Sequence, residues 1–213
     1  MPKIYLLGGE NVLKKSGREV NERAFQDAGE PLAILVFSWA RASFDNLYKK
    51  RKILIDYFNC LGTNTITFAD YSDSKNVISR KIADSNLIYF TGGQTSILNE
   101  RIKNAGVDKL IHDYKGVIVG RSAGALALCR KCIVTCRSNS KSKIINGFGL
   151  ADITLKVHYR PEKDYMLEQL SKREIIYALP MGSALVYENR VCSTIRDVYL
   201  FENGEKCKLK ALF

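Results

Sequence analysis

Residues 116–128 read Gly-Val-Ile-Val-Gly-Arg-Ser-Ala-Gly-Ala-Leu-Ala-Leu. The β-branched run at the start predicts a buried strand, and the small apolar residues at the end predict a helix. Ser122 stands at the junction, in the pattern Gly-x-Ser-x-Gly. A tight strand-to-helix turn of this kind exposes the serine hydroxyl, and the free helix N-terminus favours developing negative charge. The stretch predicts a nucleophile elbow at Ser122, with a simple Gly/Ser-rich turn as the alternative.

On both sides of this stretch, short apolar runs alternate with helical patterns. This alternation is typical of a mostly parallel sheet covered by helices on both faces. We therefore predict a three-layer α/β sandwich with antiparallel strands near the C-terminus, in a single catalytic domain over residues 1–213. The predicted strands are 4–7, 32–37, 64–68, 87–90, 117–119, 153–157, 175–179, 184–187 and 198–201, the predicted helices are 44–61, 74–83 and 95–105, and residues 137–143 are predicted as a loop.

The composition limits the class of protein. The 213 residues include 33 Lys and Arg against 22 Asp and Glu, a net charge of +11, with 46% apolar residues. These values predict a soluble globular domain and exclude disorder and collagen-like repeats. The basic residues are scattered without interleaved aromatic side chains, which favours a solvated basic face or an acidic small substrate over nucleic acid. No apolar run would span a bilayer or form a signal peptide, so we expect a cytoplasmic monomer or homodimer without a membrane partner.

A serine nucleophile needs a base, and the sequence contains two histidines, His112 and His158. His112 lies in a polar helical stretch, which predicts a surface position. His158 ends an apolar strand, and residues at the strand ends of a parallel sheet line the ligand crevice. We therefore predict His158 as the base, with a hydrogen-bonded structural histidine as the alternative.

A second glycine turn, Thr91-Gly92-Gly93-Gln94, also follows a predicted strand. Its glycines can bring a backbone N–H against a reacting carbonyl group. The N–H groups of Gly93 and Ala123 would together form an oxyanion hole. Gln94, in the same turn, is expected to contact the substrate.

The chain has six cysteines, which we interpret as thiols because a domain of this size needs no disulfides. Cys129, Cys132 and Cys136 include a Cys-x-x-Cys pair of the kind that binds zinc. A zinc site needs further ligands nearby, and none follows in the sequence. We therefore expect neither a metal nor a cofactor.

The order of these motifs resembles the serine peptidase family of peptidase E (aspartyl dipeptidase) and cyanophycinase. The resemblance covers residues 1–204. It implies a fold similar to class I glutamine amidotransferases, a Ser-His pair and no metal. Those amidotransferases have cysteine at the elbow, so serine at this position favours peptide hydrolysis. The matching elements are the opening Leu6-Leu7-Gly8-Gly9, the turn Gly92-Gly93-Gln94-Thr95, the elbow at Ser122, the strand ending in His158-Tyr159, and residues 179–186, Leu-Pro-Met-Gly-Ser-Ala-Leu-Val.

This sequence departs from the family pattern at the acid that would orient His158. The resemblance implies an aspartate soon after the serine or a glutamate just before the Ser-Ala-Leu segment. Residues 123–151 contain no acid, and Met181 stands at the second position. Pro161 forces a turn that could fold Glu162 toward the imidazole, so we predict Glu162 as the third member. Asp152, a backbone carbonyl, a water molecule and a lapsed site are the alternatives.

The resemblance also bears on the substrate. Family members that take acidic N-terminal residues need guanidinium groups, because these match a carboxylate with two parallel donors. Arg160, Arg121 and Arg41 are the candidates, and a solvated arginine is the alternative for each. We predict a serine peptidase that hydrolyses short peptides, including those with an acidic N-terminal residue, through an acyl-enzyme. The alternative is a catalytically lapsed relative that binds a small ligand or peptide.

Overall fold

The structure, a computed structural model, describes residues 1–41, 49–63, 65–135 and 142–209. Strands and helices alternate along these ranges. The strands are β1 (Lys3–Leu7), β2 (Ala33–Phe37), β3 (Thr65–Ala69), β4 (Leu87–Phe90), β5 (Val117–Arg121), β6 (Cys129–Thr135), β7 (Ser142–Asn146), β8 (Ala151–Val157), β9 (Ile176–Leu179), β10 (Ala184–Glu188), β11 (Val191–Ile195), β12 (Val198–Glu202) and β13 (Glu205–Leu209). The helices are α1 (Arg18–Ala28), α2 (Lys49–Asn59), α3 (Lys75–Ala83), α4 (Thr95–Asn104), α5 (Asp108–Asp113), α6 (Ala123–Leu128) and α7 (Asp164–Ser171), with a 3-10 turn at Pro161–Lys163.

The first sheet has the strand order β11-β10-β1-β5-β4-β2-β3. The strands β1, β5, β4, β2 and β3 run parallel, whereas β10 pairs antiparallel with both β1 and β11. Alternate residues enter two separate cores, as in β1, where Leu6 faces one and Tyr5 the other. Helices α1 and α2 cover one face, and α3, α4, α5 and α6 cover the other. The predicted sheet with helices on both faces is therefore confirmed.

A second sheet follows the order β13-β12-β9-β8-β6-β7. Its central strands β6, β8 and β9 are parallel, and the outer strands pair antiparallel. One face shares the core of α6, and the other packs against α7 through Leu167 and Phe201. The sequence pattern predicted the antiparallel C-terminal strands, but not the division of the strands into two sheets.

Several local predictions differ from the structure. The predicted loop at 137–143 is wrong at its end, because Ser142 and Lys143 begin β7, and its first five residues lie outside the described residues. Among the described strands, β7 pairs with β6 alone, and such an edge strand tolerates a polar composition that resembles a loop. Residues 44–48 of the predicted helix and residue 64 of a predicted strand also lie outside the described residues. None of the helices in the described ranges has the length and apolar character that crossing a membrane requires.

Candidate active site

Ser122 occupies the turn between β5 and α6, with φ of 53° and ψ of −106°. Such a backbone conformation costs on the order of 1–3 kcal/mol and persists only where the surrounding structure imposes it. The flanking glycines permit the turn. A Cβ on Gly120 would lie 2.6 Å from the Ala125 nitrogen, and one on Gly124 would lie 2.5 Å from the Phe90 carbonyl oxygen. The Gly-x-Ser-x-Gly pattern is therefore a steric requirement of this elbow.

His158 follows β8 directly, and its Nε2 lies 2.6 Å from Oγ of Ser122. Two consecutive carbonyl groups at the end of β1 hold the pair. The Ser122 N–H donates to the Leu7 carbonyl oxygen, and the His158 N–H donates to that of Gly8, both at 2.9 Å. The end of one strand in the first sheet therefore positions a residue from each sheet.

The backbone of Gly9 lies against the imidazole. A Cβ at this position would lie 2.3 Å from Cε1 and 2.6 Å from Nδ1 of His158. Gly9 has φ of 144°, and its carbonyl oxygen accepts a hydrogen bond of 2.8 Å from the Gly182 N–H. The ring is therefore positioned by a fixed stretch of backbone that only glycine can supply.

The surroundings of His158 disfavour the protonated form of its imidazole. Burial lowers the pKa of this histidine, and the positive charges of Lys156 and Arg160 lower it further. A neutral imidazole can accept the proton of Ser122 at Nε2. Among the described residues, no carboxylate forms a hydrogen bond or ion pair with the ring.

The predicted oxyanion turn lies beside the serine. A Cβ on Gly92 would be 3.4 Å from Cβ of Ser122, whereas one on Gly93 would be 2.0 Å from the carbonyl oxygen of Ala40. Ala123 is the first residue of α6, where a backbone N–H has no partner within the helix. The exposed Gln94 lies in the same turn. The fold thus brings Gly93, Ala123 and Gln94 to one side of the nucleophile.

Neither predicted acid reaches the imidazole. Pro161 does begin a turn, but this turn leads into α7, and Glu162 is exposed without a hydrogen bond or ion pair to His158. Asp152 lies at the start of β8 and pairs with Arg130 at 2.6 Å. Six residues of strand correspond to roughly 20 Å, which separates Asp152 from His158. The prediction of Glu162 as the third member therefore lacks the geometry that it needs.

Glu10 is an acidic residue of the cleft that the sequence pattern did not single out. Its side chain has no exposed surface, and its Oε2 lies 3.8 Å from Nη1 of Arg121. Oε1 accepts hydrogen bonds from the Gly17 N–H and the Asn21 amide, and Oε2 accepts one from the Tyr89 hydroxyl. A signal was present, because Glu10 follows the glycine pair directly after the first strand, at the edge where Ser122 lies.

The three predicted arginines differ in environment. Arg121 is 13% exposed, and its guanidinium lies near Glu10 and 6.0 Å from the ring centre of Tyr89. Its Nη1 has no hydrogen-bond partner among the described residues. Arg160 is exposed and Arg41 is half-buried, and both line the cleft. The charge of Arg121 is therefore shared with a buried carboxylate, unlike the charge of Arg160.

The cleft that contains Ser122 and His158 has a volume of about 1220 Å³. Its charge is strongly unbalanced. Glu10 is the one acid among the described lining residues, whereas six are cationic: Arg41, Arg121, Lys143, Lys156, Arg160 and Lys163. A concave surface with this balance attracts anionic ligands.

The cysteines after the elbow are packed as thiols. Cys129 and Cys132 are buried and donate to the carbonyl oxygens of Ala125 and Leu126 at 3.2 and 2.7 Å. Burial raises the pKa of Cys129 far above its usual range and that of Cys132 to about 12, so both stay protonated. Cys136 lies outside the described residues. Within the described ranges, no group of His, Cys, Asp and Glu could hold a metal ion.

Comparisons with known proteins identify the family of the chain. Residues 46–195 match the model of peptidase family S51. A peptidase from an acI-B1 Actinobacterium superposes with a TM-score of 0.75 at 19% identity, covering 99% of this chain and 95% of the other. A candidate peptidase E protein from Listeria monocytogenes EGD-e superposes with a TM-score of 0.69 at 20% identity, covering 92% and 98%. A search of curated proteins gave no match. The chain belongs to peptidase family S51 and is a serine hydrolase.

Proposed function

We propose that this peptidase cleaves short peptides through an acyl-enzyme on Ser122, with His158 as the general base. The observation that carries the proposal is the 2.6 Å contact between Oγ and Nε2 at a strained elbow. Nε2 takes the hydroxyl proton while Oγ attacks the peptide carbonyl carbon, and the N–H groups of Gly93 and Ala123 stabilise the oxyanion. The imidazolium then gives that proton to the leaving amine, and water releases the acid by the same steps.

The orientation of His158 comes from backbone contacts in this proposal. The Gly8 carbonyl oxygen accepts a hydrogen bond from the backbone N–H of His158, and the backbone of Gly9 packs against the imidazole ring. Glu162 and Asp152 play no part, because one is exposed without a bond to His158 and the other pairs with Arg130. The proposed machinery is therefore a Ser-His pair with a backbone-positioned imidazole.

The positive charge of the cleft supports a preference for peptides with an acidic N-terminal residue. Six cationic residues and one acid line the described part of the cleft, and carboxylates pair best with guanidinium groups. Arg160 and Arg41 are the proposed partners of the acidic side chain. Arg121 contributes positive charge to the cleft wall beside Glu10, and Gln94 is a proposed polar contact of the substrate.

Two measurements test this proposal. A fluorophosphonate probe should label the wild type at Ser122 and leave the Ser122→Ala variant unlabelled, because labelling needs an activated hydroxyl. A panel that pairs Asp-X with Asn-X dipeptides should show faster hydrolysis of the acidic members. Failure of both labelling and hydrolysis would instead support a catalytically lapsed binding protein, whereas labelling with equal rates on Asp-X and Asn-X would overturn only the acidic preference.

A further inference from the structure

Lys156 is a buried cation that the proposed reaction does not use. It lies in β8 two residues before His158, is 5% exposed, and lines the cleft. Its Nζ donates a hydrogen bond of 2.7 Å to Oγ1 of Thr135. No carboxylate in the described ranges pairs with it, and residues 136–141, which follow Thr135 in the chain, contain no Asp or Glu.

A buried ammonium without an anionic partner is energetically unfavourable. Burial lowers the pKa of Lys156 to about 8, with a further contribution from the positive charge of Lys163. A hydrophobic residue would fill the same space without this cost. Since no carboxylate of the described residues offsets this charge and Lys156 lines the cleft, an anion bound there would remove the cost.

The position of Lys156 relative to His158 indicates which part of the substrate it meets. Lys156 and His158 are two residues apart in the chain, and both line the same cleft. In the proposed reaction His158 protonates the leaving amine, and the leaving residue must therefore lie on the His158 side of the scissile bond. In a dipeptide, this residue carries a free α-carboxylate one carbon away from the amine.

We infer that Lys156 binds the free α-carboxylate of the leaving residue and thereby selects dipeptides. The inference rests on the proposed function and adds a specificity-determining residue to it. Lys143 and Lys163, which line the same cleft, strengthen the positive field around that carboxylate. A longer peptide or a C-terminal amide would place a neutral amide at Lys156 and leave the ammonium unpaired.

The test compares Asp-Phe with Asp-Phe amide. Hydrogen bonds between charged groups predict a preference of the wild type for the free acid of about tenfold to a hundredfold in kcat/KM. Lys156→Met should abolish this preference, and Lys156→Arg should retain part of it. The matched control is Lys52→Met, because the Lys52 side chain is 81% exposed on α2 and should leave the preference unchanged.

The ratio of the two rates isolates carboxylate binding. Removing the charge of Lys156 also changes the pKa of His158, but both substrates use the same imidazole, so that effect cancels. Circular dichroism and fluorophosphonate labelling of Ser122 confirm that Lys156→Met is folded. Asn-Phe is the third substrate, because it lacks only the side-chain carboxylate of Asp-Phe.

Each outcome decides the assignment. An unchanged acid-to-amide ratio in Lys156→Met overturns it, as does a wild type without the preference. Loss of the Asp-to-Asn ratio alone would assign Lys156 to the N-terminal side chain and overturn the inference as well. A wild type that cleaves none of the three peptides overturns the proposed function, and this inference with it.

Discussion

The two sides of the cleft are organised by different forces. On the Ser122 side, backbone atoms approach so closely that only glycine fits at positions 120 and 124. On the His158 side, charge dominates, because burial and the cations Lys156 and Arg160 lower the pKa of the imidazole. Steric fit therefore places Ser122, whereas the surrounding charges lower the pKa of His158 and, in the proposed function, select the substrate.

The largest expected effect is on the nucleophile. Ser122→Ala should lower kcat by roughly 10⁴-fold or more, because the acyl-enzyme cannot form. His158→Ala should be comparably damaging, and the double variant hardly worse, since residues that act as one unit are not additive. Steady-state kinetics on Asp-X dipeptides measure this. A Ser122→Ala variant whose kcat lies within tenfold of the wild-type value would show that the elbow does not position the nucleophile.

Gly9→Ala tests whether steric fit also positions the base. The added Cβ would lie 2.3 Å from Cε1 of His158, so the ring must move. A displacement of about 1 Å in a catalytic group can cost on the order of a hundredfold in rate. Gly149→Ala is the matched control, because Gly149 also has positive φ, 72°, but nothing lies within 4 Å of its added Cβ. Equal kcat/KM losses in both variants would show that backbone strain, and not the ring contact, is responsible.

Neutral variants of three carboxylates test which charges in and near the cleft affect the reaction. Glu10→Gln removes the charge that faces the half-buried guanidinium of Arg121, and it weakens the hydrogen bonds that Glu10 accepts from Gly17, Asn21 and Tyr89. It should therefore lower kcat/KM by about tenfold. Glu162→Gln and Asp152→Asn should stay within about twofold, because surface charges contribute little. A stronger loss in Glu162→Gln than in Glu10→Gln would restore Glu162 as the orienting acid.

The smallest expected effect is a shift in pH dependence. The acidic limb of kcat/KM reports protonation of the base in the free enzyme. The positive charge of Lys156 disfavours the imidazolium, so Lys156→Met should raise the pKa of His158 and move that limb to higher pH. A pH profile of the variant and of Lys52→Met measures the shift. A limb that stays in place would show that the charge of Lys156 does not contribute to the lowered pKa of His158.

The sequence predicts the sterically placed residues of the site better than the partners of its charged residues. Ser122 could be predicted because its turn imposes glycines at fixed spacing, a requirement that the sequence shows directly. His158 could be predicted because the chain contains few histidines and one of them ends a strand. The roles of these residues and of Gly93 and Ala123 stay predictions, although the fold brings all four together.

The partners of charged residues could not be predicted, because they depend on distant contacts. Glu10 follows β1 and Arg121 ends the neighbouring strand β5, so the two residues pair although they are far apart in the sequence. Glu162 is close to His158 in the sequence, but the 3-10 turn at Pro161–Lys163 continues into α7. The second sheet was missed for a similar reason, since strands carry no local mark of the sheet that they join.

The paired carbonyl groups of Leu7 and Gly8 have a consequence for how the enzyme is made. One binds the N–H of Ser122 and the other that of His158, so the reactive pair is assembled only after both sheets have docked. A partly folded chain would therefore lack the contact between Ser122 and His158. The two amide protons would also exchange with solvent as one cooperative unit.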